Sequence, residues 1–212
     1  MRYVGRENVR KLLEPLEGTP GSTVYADGTA ELVSDTFKGV RRLSVRPSFG
    51  LRHEGTYDDV HVRPLLEEIA RDHVVAVLLV RLGGYAVGVF EGERLVASKV
   101  GARFVKNRHK KGGSSANRFR RRREEQARAL VEEAADVAVT VLGSWRDRAE
   151  FAALGGDRAA VEATLRARAE LAWLRERAIG RFLTVPEPRR RTLDALPYDL
   201  YAVEIRDDEG PR

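Results

Sequence analysis

The sequence predicts an α/β protein built on a mixed β-sheet with a three-strand antiparallel meander, flanked by helices. Residues 73–101 contain three apolar runs separated by two tight turns, the pattern of such a meander. Apolar residues then recur at helical spacing over residues 119–141, which predicts a long amphipathic helix at about 115–142. The chain has 212 residues, of which 42% are hydrophobic, so it can bury a sizeable core.

Shorter elements are predicted before the meander. Asp27-Gly28 stands between two strand-like runs and is the strongest two-residue hairpin turn, and Pro64 is well placed to begin a helix. The predicted elements are a helix at 6–16, a hairpin around Asp27-Gly28, a strand at 40–46, a loop at 48–63 and a helix at 64–72. We predict that residues 1–72 form an N-terminal extension packed on a core formed by residues 73–212.

The predicted core begins with a run of branched aliphatic residues that is typical of a strand buried on both faces. Glycines mark most of its boundaries: Gly83-Gly84 turns the meander, Gly143 ends the long helix, and Gly155-Gly156 precedes another. The predicted elements are strands at 73–82, 85–90 and 94–100, helices at 115–142 and 158–182, a linker at 185–191 and a last strand at 200–205.

Composition excludes several classes of site. The chain has no cysteine and four unpaired histidines, so we expect no disulfide, no metal and no cofactor. Residues 74–82 carry no carboxylate, which argues against a two-metal nuclease. The longest apolar run, Val74 to Val80, is far shorter than a membrane helix, and the first ten residues do not resemble a signal peptide. We therefore expect a cytoplasmic protein with no membrane partner.

Positive charge is concentrated in one stretch of the chain. Residues 99–128 hold twelve Lys and Arg against two Glu, a net charge of +10, whereas the other 182 residues hold 26 basic and 30 acidic side chains, a net charge of −4. A basic patch on an otherwise acidic protein indicates a polyanion partner. Nucleic acid is favoured over a membrane surface, because no apolar residues accompany the charges at the spacing of an interfacial helix.

The centre of this stretch is the basic glycine segment, residues 106–126, with the sequence KNRHKKGGSSANRFRRRREEQ. Cations in the first turns of a helix are disfavoured by the helix dipole unless they meet an anion. The candidate RNA-binding residues are Lys106, Arg108, Lys110, Lys111, Arg118, Arg120, Arg121, Arg122 and Arg123. Taken one at a time, these features also fit an ordinary Ser114 or Ser115 N-cap, a glycine turn and a solvated helix face.

The meander, the segment KKGGSSANRFRRRREE and the long helix together resemble the middle domain of the eukaryotic and archaeal class-one peptide release factors. That family has Gly-Gly-Gln followed by Ser-Ala-x-Arg-Phe, and six residues match it without a gap: Gly112, Gly113, Ser115, Ala116, Arg118 and Phe119. The resemblance is strongest to the VLRF-type, release-factor-like peptidyl-tRNA hydrolases of ribosome quality control, in their actinobacterial branch. It covers residues 73–142 well and the remainder loosely.

This resemblance implies a ribonuclease-H-like fold and a catalytic role for the glycine loop. In the family the loop enters the peptidyl-transferase centre of the large ribosomal subunit, beside P-site peptidyl-tRNA. The Gln orients a water, partly through its backbone N–H, for attack on the ester. The flanking basic residues contact ribosomal RNA. The implied partners are therefore the large subunit and peptidyl-tRNA, and we expect a monomer.

The catalytic Gln is missing from this sequence. Ser114 occupies its position in the gapless alignment, and Ser115 occupies it if the motif carries one extra residue, as in the quality-control branch. The implied catalytic residues are thus Gly112, Gly113, Ser114, Ser115 and Asn117, the last offering the nearest carboxamide or serving only as a first-turn helix residue. Two functions stay open: a ribosome-associated peptidyl-tRNA hydrolase that rescues stalled large subunits, and a non-catalytic ribosome- or RNA-binding factor.

Overall fold

The computed structural model describes residues 1–36, 39–102 and 115–209 of the chain. It divides into two compact units. The first unit consists of Met1–Arg71 together with Tyr198–Arg212, and the second consists of Asp72–Pro197.

The described residues form ten strands and seven α-helices. The strands are β1 (Arg2–Val4), β2 (Pro20–Ala26), β3 (Thr29–Thr36), β4 (Gly39–Arg46), β5 (Gly55–Asp59), β6 (Val74–Arg81), β7 (Gly84–Glu91), β8 (Arg94–Ala102), β9 (Phe151–Gly156) and β10 (Val203–Glu209). The helices are α1 (Arg6–Leu13), α2 (Arg63–Ala70), α3 (Ser115–Leu142), α4 (Arg158–Ala167), α5 (Trp173–Glu176), α6 (Arg190–Asp194) and α7 (Leu196–Leu200). No helix among these residues is both long and apolar enough to cross a membrane.

The first unit is built on a six-stranded antiparallel sheet in the order β1-β10-β4-β3-β2-β5. The predicted hairpin is present: Asp27 and Gly28 both have positive φ, 51° and 71°, as a two-residue type I′ turn between β2 and β3 requires. Leu13 of α1 and Leu65 of α2 are fully buried in the same apolar cluster as the inward-facing residues of the sheet.

Two predictions for this unit are wrong. The last strand, expected at 200–205 within the 73–212 core, is β10 at 203–209, and it pairs with β1 and β4 of the first sheet. Residues 55–59, expected to be part of a loop, form the edge strand β5 on β2. Both are long-range pairings, in which the partner strand rather than the local sequence determines the conformation.

The second unit contains a four-stranded mixed sheet in the order β8-β7-β6-β9. The antiparallel meander β6-β7-β8 confirms the sequence prediction, and β9 adds to β6 in parallel. Isolated parallel bridges from Ala178 and Leu183 extend the sheet beyond β9. The result is the helix-flanked mixed sheet that the sequence predicts, and it agrees with the ribonuclease-H-like fold that the resemblance implies.

The long helix α3 has the predicted bounds and packs its second half on the sheet. Leu130, Ala134, Ala138 and Leu142 are all buried, and their spacing of four residues forms one continuous face. They share an apolar core with β6, β7 and α4. This packing anchors the helix that continues from the basic glycine segment.

The region after α3 differs from its prediction. Residues 151–156 form the unpredicted strand β9, and the single helix expected at 158–182 ends at Ala167. Arg168 is extended, with φ −138° and ψ 118°, and its guanidinium bonds Glu132 and Asp136 of α3. These tertiary contacts override the helical propensity of the segment.

Candidate nucleic-acid interface

The structure describes the strand β8 and the helix α3 on either side of the predicted glycine loop, and the loop itself lies outside the described residues. Seven predicted site residues lie outside the described residues: Lys106, Arg108, Lys110, Lys111, Gly112, Gly113 and Ser114. Four others lie in the first turns of α3, where the structure describes the backbone only: Ser115, Asn117, Arg118 and Arg120. Arg121, Arg122 and Arg123 are described in full and follow them on the same helix.

The strand and the helix that flank residues 103–114 are joined by a tyrosine. Tyr85 on β7 is 2% exposed, and its hydroxyl donates a 3.0 Å hydrogen bond to Oε1 of Glu133 on α3. Its ring lies against the β8 backbone at Gly101, where an added Cβ would be 2.3 Å from the ring. Only glycine at position 101 therefore leaves room for this contact, which connects the end of β8 to α3.

Burial and the Glu133 carboxylate stabilise the neutral form of this tyrosine. Removal from water disfavours the phenolate, and the nearby carboxylate adds a hydrogen bond to the neutral hydroxyl and repels the anion. Together these effects raise the pKa of Tyr85 to about 12. Tyr85 is therefore a protonated hydrogen-bond donor throughout the physiological range.

The described side chains in the first half of α3 do not contribute to the core. Between Arg121 and Ala129 no side chain is buried, and burial begins at Leu130. Because a helix rises 1.5 Å per residue, the fifteen positions from Ser115 to Ala129 extend over roughly 22 Å. The described part of this length, from Arg121 to Ala129, has no core role and is available for a partner.

Three arginines of this half, Arg121 to Arg123, lack an acidic partner among the described residues. In the part of the chain that the structure describes, the side chains of Arg121, Arg122 and Arg123 have no ion pair or hydrogen bond. By contrast, Arg168 binds two carboxylates farther along α3, at 2.8 Å to Glu132 and 2.7 Å to Asp136. No described acidic side chain therefore neutralises the positive charge of Arg121 to Arg123, which suits a phosphate-binding surface.

The only glutamine of the chain is distant from the glycines. Gln126 is eleven residues after Ser115 on the same helix, which is about 16 Å along the axis. It cannot reach a water held at the start of the helix. The nearest carboxamide to the glycine pair in sequence is Asn117, on the first turns of α3.

Sequence reasoning missed the contact of Tyr85, Gly101 and Glu133. A polar aromatic residue in a strand of small and aliphatic side chains, paired with a glycine on the next strand, was the available signal. No group of three His, Asp or Glu side chains in the described ranges is arranged to hold a metal ion. The described part of the site thus consists of the arginines Arg121 to Arg123 on α3 and the buried contact between Tyr85 and Glu133.

Residues 73–206 match the family described as Actinobacteria/chloroflexi VLRF1 release factor. Among solved structures, the crystal structure of the archaeal translation termination factor aRF1 is similar at 12% identity, with a TM-score of 0.45, covering 93% of this chain and 73% of that one. A second archaeal protein is similar at 13% identity, with a TM-score of 0.39, covering 94% of this chain and 74% of that one. No curated protein matches the sequence.

Proposed function

Since the chain belongs to the Actinobacteria/chloroflexi VLRF1 release-factor family, we propose that it is a ribosome-associated peptidyl-tRNA hydrolase. It releases nascent chains from stalled large subunits, with Gly112 and Gly113 placed in the peptidyl-transferase centre beside the P-site ester. Its partners are the ribosomal RNA of the large subunit and peptidyl-tRNA. This is a rescue activity in ribosome quality control.

The observation that carries this proposal is the first half of α3. It extends over roughly 22 Å without a buried described side chain, and Arg121 to Arg123 have no acidic partner among the described residues. A helix of this kind can reach into a channel lined by phosphates while its second half stays fixed in the core. Basic residues on both sides of the glycine pair would follow the RNA backbone.

In the proposed mechanism the loop positions a water rather than supplying a nucleophile. Glycines at 112 and 113 allow the backbone to bring an N–H close to the ester. The backbone N–H of Ser114 or Ser115 orients the water, as the backbone N–H of the Gln does in the family. Holding the water and the ester together inside the ribosome supplies several kcal/mol of the rate enhancement.

The absence of the Gln carboxamide favours a second candidate function. The only Gln lies about 16 Å along α3 from Ser115, so no glutamine side chain can replace it. The second candidate is a non-catalytic factor that binds the large subunit with the same basic surface and occupies the site without hydrolysis. The two functions share the RNA contacts and differ only in chemistry.

The deciding experiment adds the purified chain to large subunits that carry a labelled peptidyl-tRNA and measures both binding and peptide release. Release under single-turnover conditions supports the hydrolase. Binding without release supports the non-catalytic factor. Absence of binding contradicts both.

Three substitutions then separate the roles of the loop residues. Gly113→Ala should abolish release and leave binding intact, because charge is unchanged while the backbone is restricted. Ser114→Ala should be mild if that position acts through its N–H alone. Asn117→Ala should raise the barrier by about 2–4 kcal/mol if its carboxamide replaces the missing Gln, as for the loss of one well-placed donor. Full release by Gly113→Ala would contradict the mechanism.

A further inference from the structure

A second group of arginines lies where the parallel strands of the second unit end. Val80 of β6 pairs with Gly156 of β9, so Arg81 and Arg158 follow the last paired residues of adjacent strands. We call this the carboxyl edge. It is also where β8 ends, because Ala102 pairs with Gly84 at the start of β7. The edge therefore lies on the side of the sheet from which the chain continues into residues 103–114.

The two guanidinium groups are held by neutral partners on one short segment. Arg81 donates from Nη1 to the backbone oxygen of Val185 at 2.9 Å, and the Arg158 guanidinium lies 4.3 Å from the ring centroid of Phe182. Both residues are exposed, and the next residue, Leu82, is 53% exposed. The side chains are therefore fixed in position while they retain their charge and contact with solvent.

Arg81 and Arg158 differ from the neighbouring charged residues, which have partners within the protein. At the same edge Arg189 is paired with Glu187 at 2.6 Å, and the Asp157 carboxylate caps α4 by accepting from the Ala160 N–H. Within the described ranges, by contrast, neither Arg81 nor Arg158 has a carboxylate partner. Arg158 is the first residue of α4, directly after the Asp157 N-cap.

We infer that Arg81 and Arg158 form a phosphate-binding pair that contacts the RNA backbone separately from the basic glycine segment. Two preorganised guanidinium groups suit phosphodiester oxygens, which accept paired hydrogen bonds from Arg. Ligands of α/β sheets commonly bind at the carboxyl ends of parallel strands. The inference deepens the proposed function, on which it rests, by extending the RNA contact from α3 to the sheet edge.

The test measures the salt dependence of RNA binding by the full-length chain. The probes are a fluorescein-labelled RNA hairpin with a single-stranded 3′ CCA end, purified large subunits, and a labelled polyglutamate peptide. The variants are Arg81→Gln with Arg158→Gln, and Arg81→Lys alone. Arg166→Gln is the control for the loss of a single charge, because it removes one exposed arginine at the other end of α4 that has no ion pair among the described residues. Circular dichroism confirms that each variant is folded.

Loss of two phosphate contacts should reduce the slope of log K against log salt concentration by about 1.4–1.8. The ratio of the wild-type RNA affinity to that of the double variant should then fall about tenfold between 50 and 200 mM salt. Arg81→Lys should keep most of the slope, because it keeps the charge, and Arg166→Gln should leave the slope unchanged.

Three results would overturn the inference. The double variant could bind the hairpin with the wild-type slope, Arg166→Gln could lower the slope equally, or polyglutamate could bind more tightly than RNA. A different result would contradict the proposed function itself. In that case the wild type would not bind large subunits or release peptide, while the hairpin measurement would still compare the variants.

Discussion

Burial of Tyr85, together with its contact with Glu133, makes the stability of the second unit dependent on pH in a predictable way. Folding raises the pKa of Tyr85 from 10.0 to about 12. Between these values the unfolded chain releases a proton that the folded chain retains, so the free energy of unfolding falls as pH rises. Two pKa units correspond to about 2–3 kcal/mol, which is fully present below pH 10 and is lost by pH 12.

Tyr85→Phe removes this dependence. At pH 8 we expect the variant to unfold with a free energy about 1.5–3 kcal/mol lower than the wild type, because it lacks a hydrogen bond to a charged acceptor. At pH 11 the difference should shrink by about 1.4 kcal/mol, because only the wild type has begun to lose its proton-linked stability. Glu133→Gln keeps an acceptor and should cost less at pH 8, about 0.5–1.5 kcal/mol.

The assay is urea unfolding at pH 8 and pH 11, followed by tryptophan fluorescence. The chain has two tryptophans, Trp145 and Trp173, and both belong to the second unit. The signal therefore does not report the first unit, where burial also raises the pKa of Tyr25. A difference between wild type and Tyr85→Phe that is the same at both pH values would refute this reasoning.

Three further predictions concern packing and charge. Leu130→Ala should lower the free energy of unfolding of the second unit by about 2–5 kcal/mol, measured in urea, because it empties the first buried position among the described side chains of α3. Gly155→Ala should cost about 1–3 kcal/mol in the same assay, because its Cβ would lie 2.7 Å from the Leu183 backbone oxygen. Gly143→Ala, where nothing lies within 4 Å, should stay within about 0.5 kcal/mol of wild type. Replacing Arg121, Arg122 and Arg123 with Gln should reduce the salt slope of large-subunit binding by about 2–3, and an unchanged slope would remove the basis of both proposed functions.

The features that the sequence predicts well are those that local patterns determine. The meander follows from apolar runs and tight turns, and α3 follows from its helical stripe, so both appear with nearly the predicted bounds. The Asp27-Gly28 turn is equally local, because its type depends on two residues that tolerate positive φ. The charge asymmetry that led to α3 is likewise a property of one continuous stretch.

The missed elements depend on partners distant in sequence. Phe151–Gly156 has the sequence FAALGG, whose alanines favour helix and whose glycines weaken a strand, yet β6 pairs with it over its whole length. Gly155 is explained by the Leu183 backbone, which leaves no space for a side chain, and Gly156 by the Val80 backbone and by its own positive φ. The carboxyl edge could not be predicted for the same reason, since it depends on the parallel register of β6 and β9.

The position of β10 has a consequence for how this protein is made. Its first sheet needs Val203–Glu209 between β1 and β4, but those residues are translated only after the whole of Asp72–Pro197. At ordinary elongation rates this delay lasts roughly 6–25 s, during which β4 presents an unpaired edge. The second unit is complete before the first. A product that stops before residue 203 would therefore carry the arginine-bearing helix on a chain whose other sheet is open, a form that proteases and chaperones can recognise.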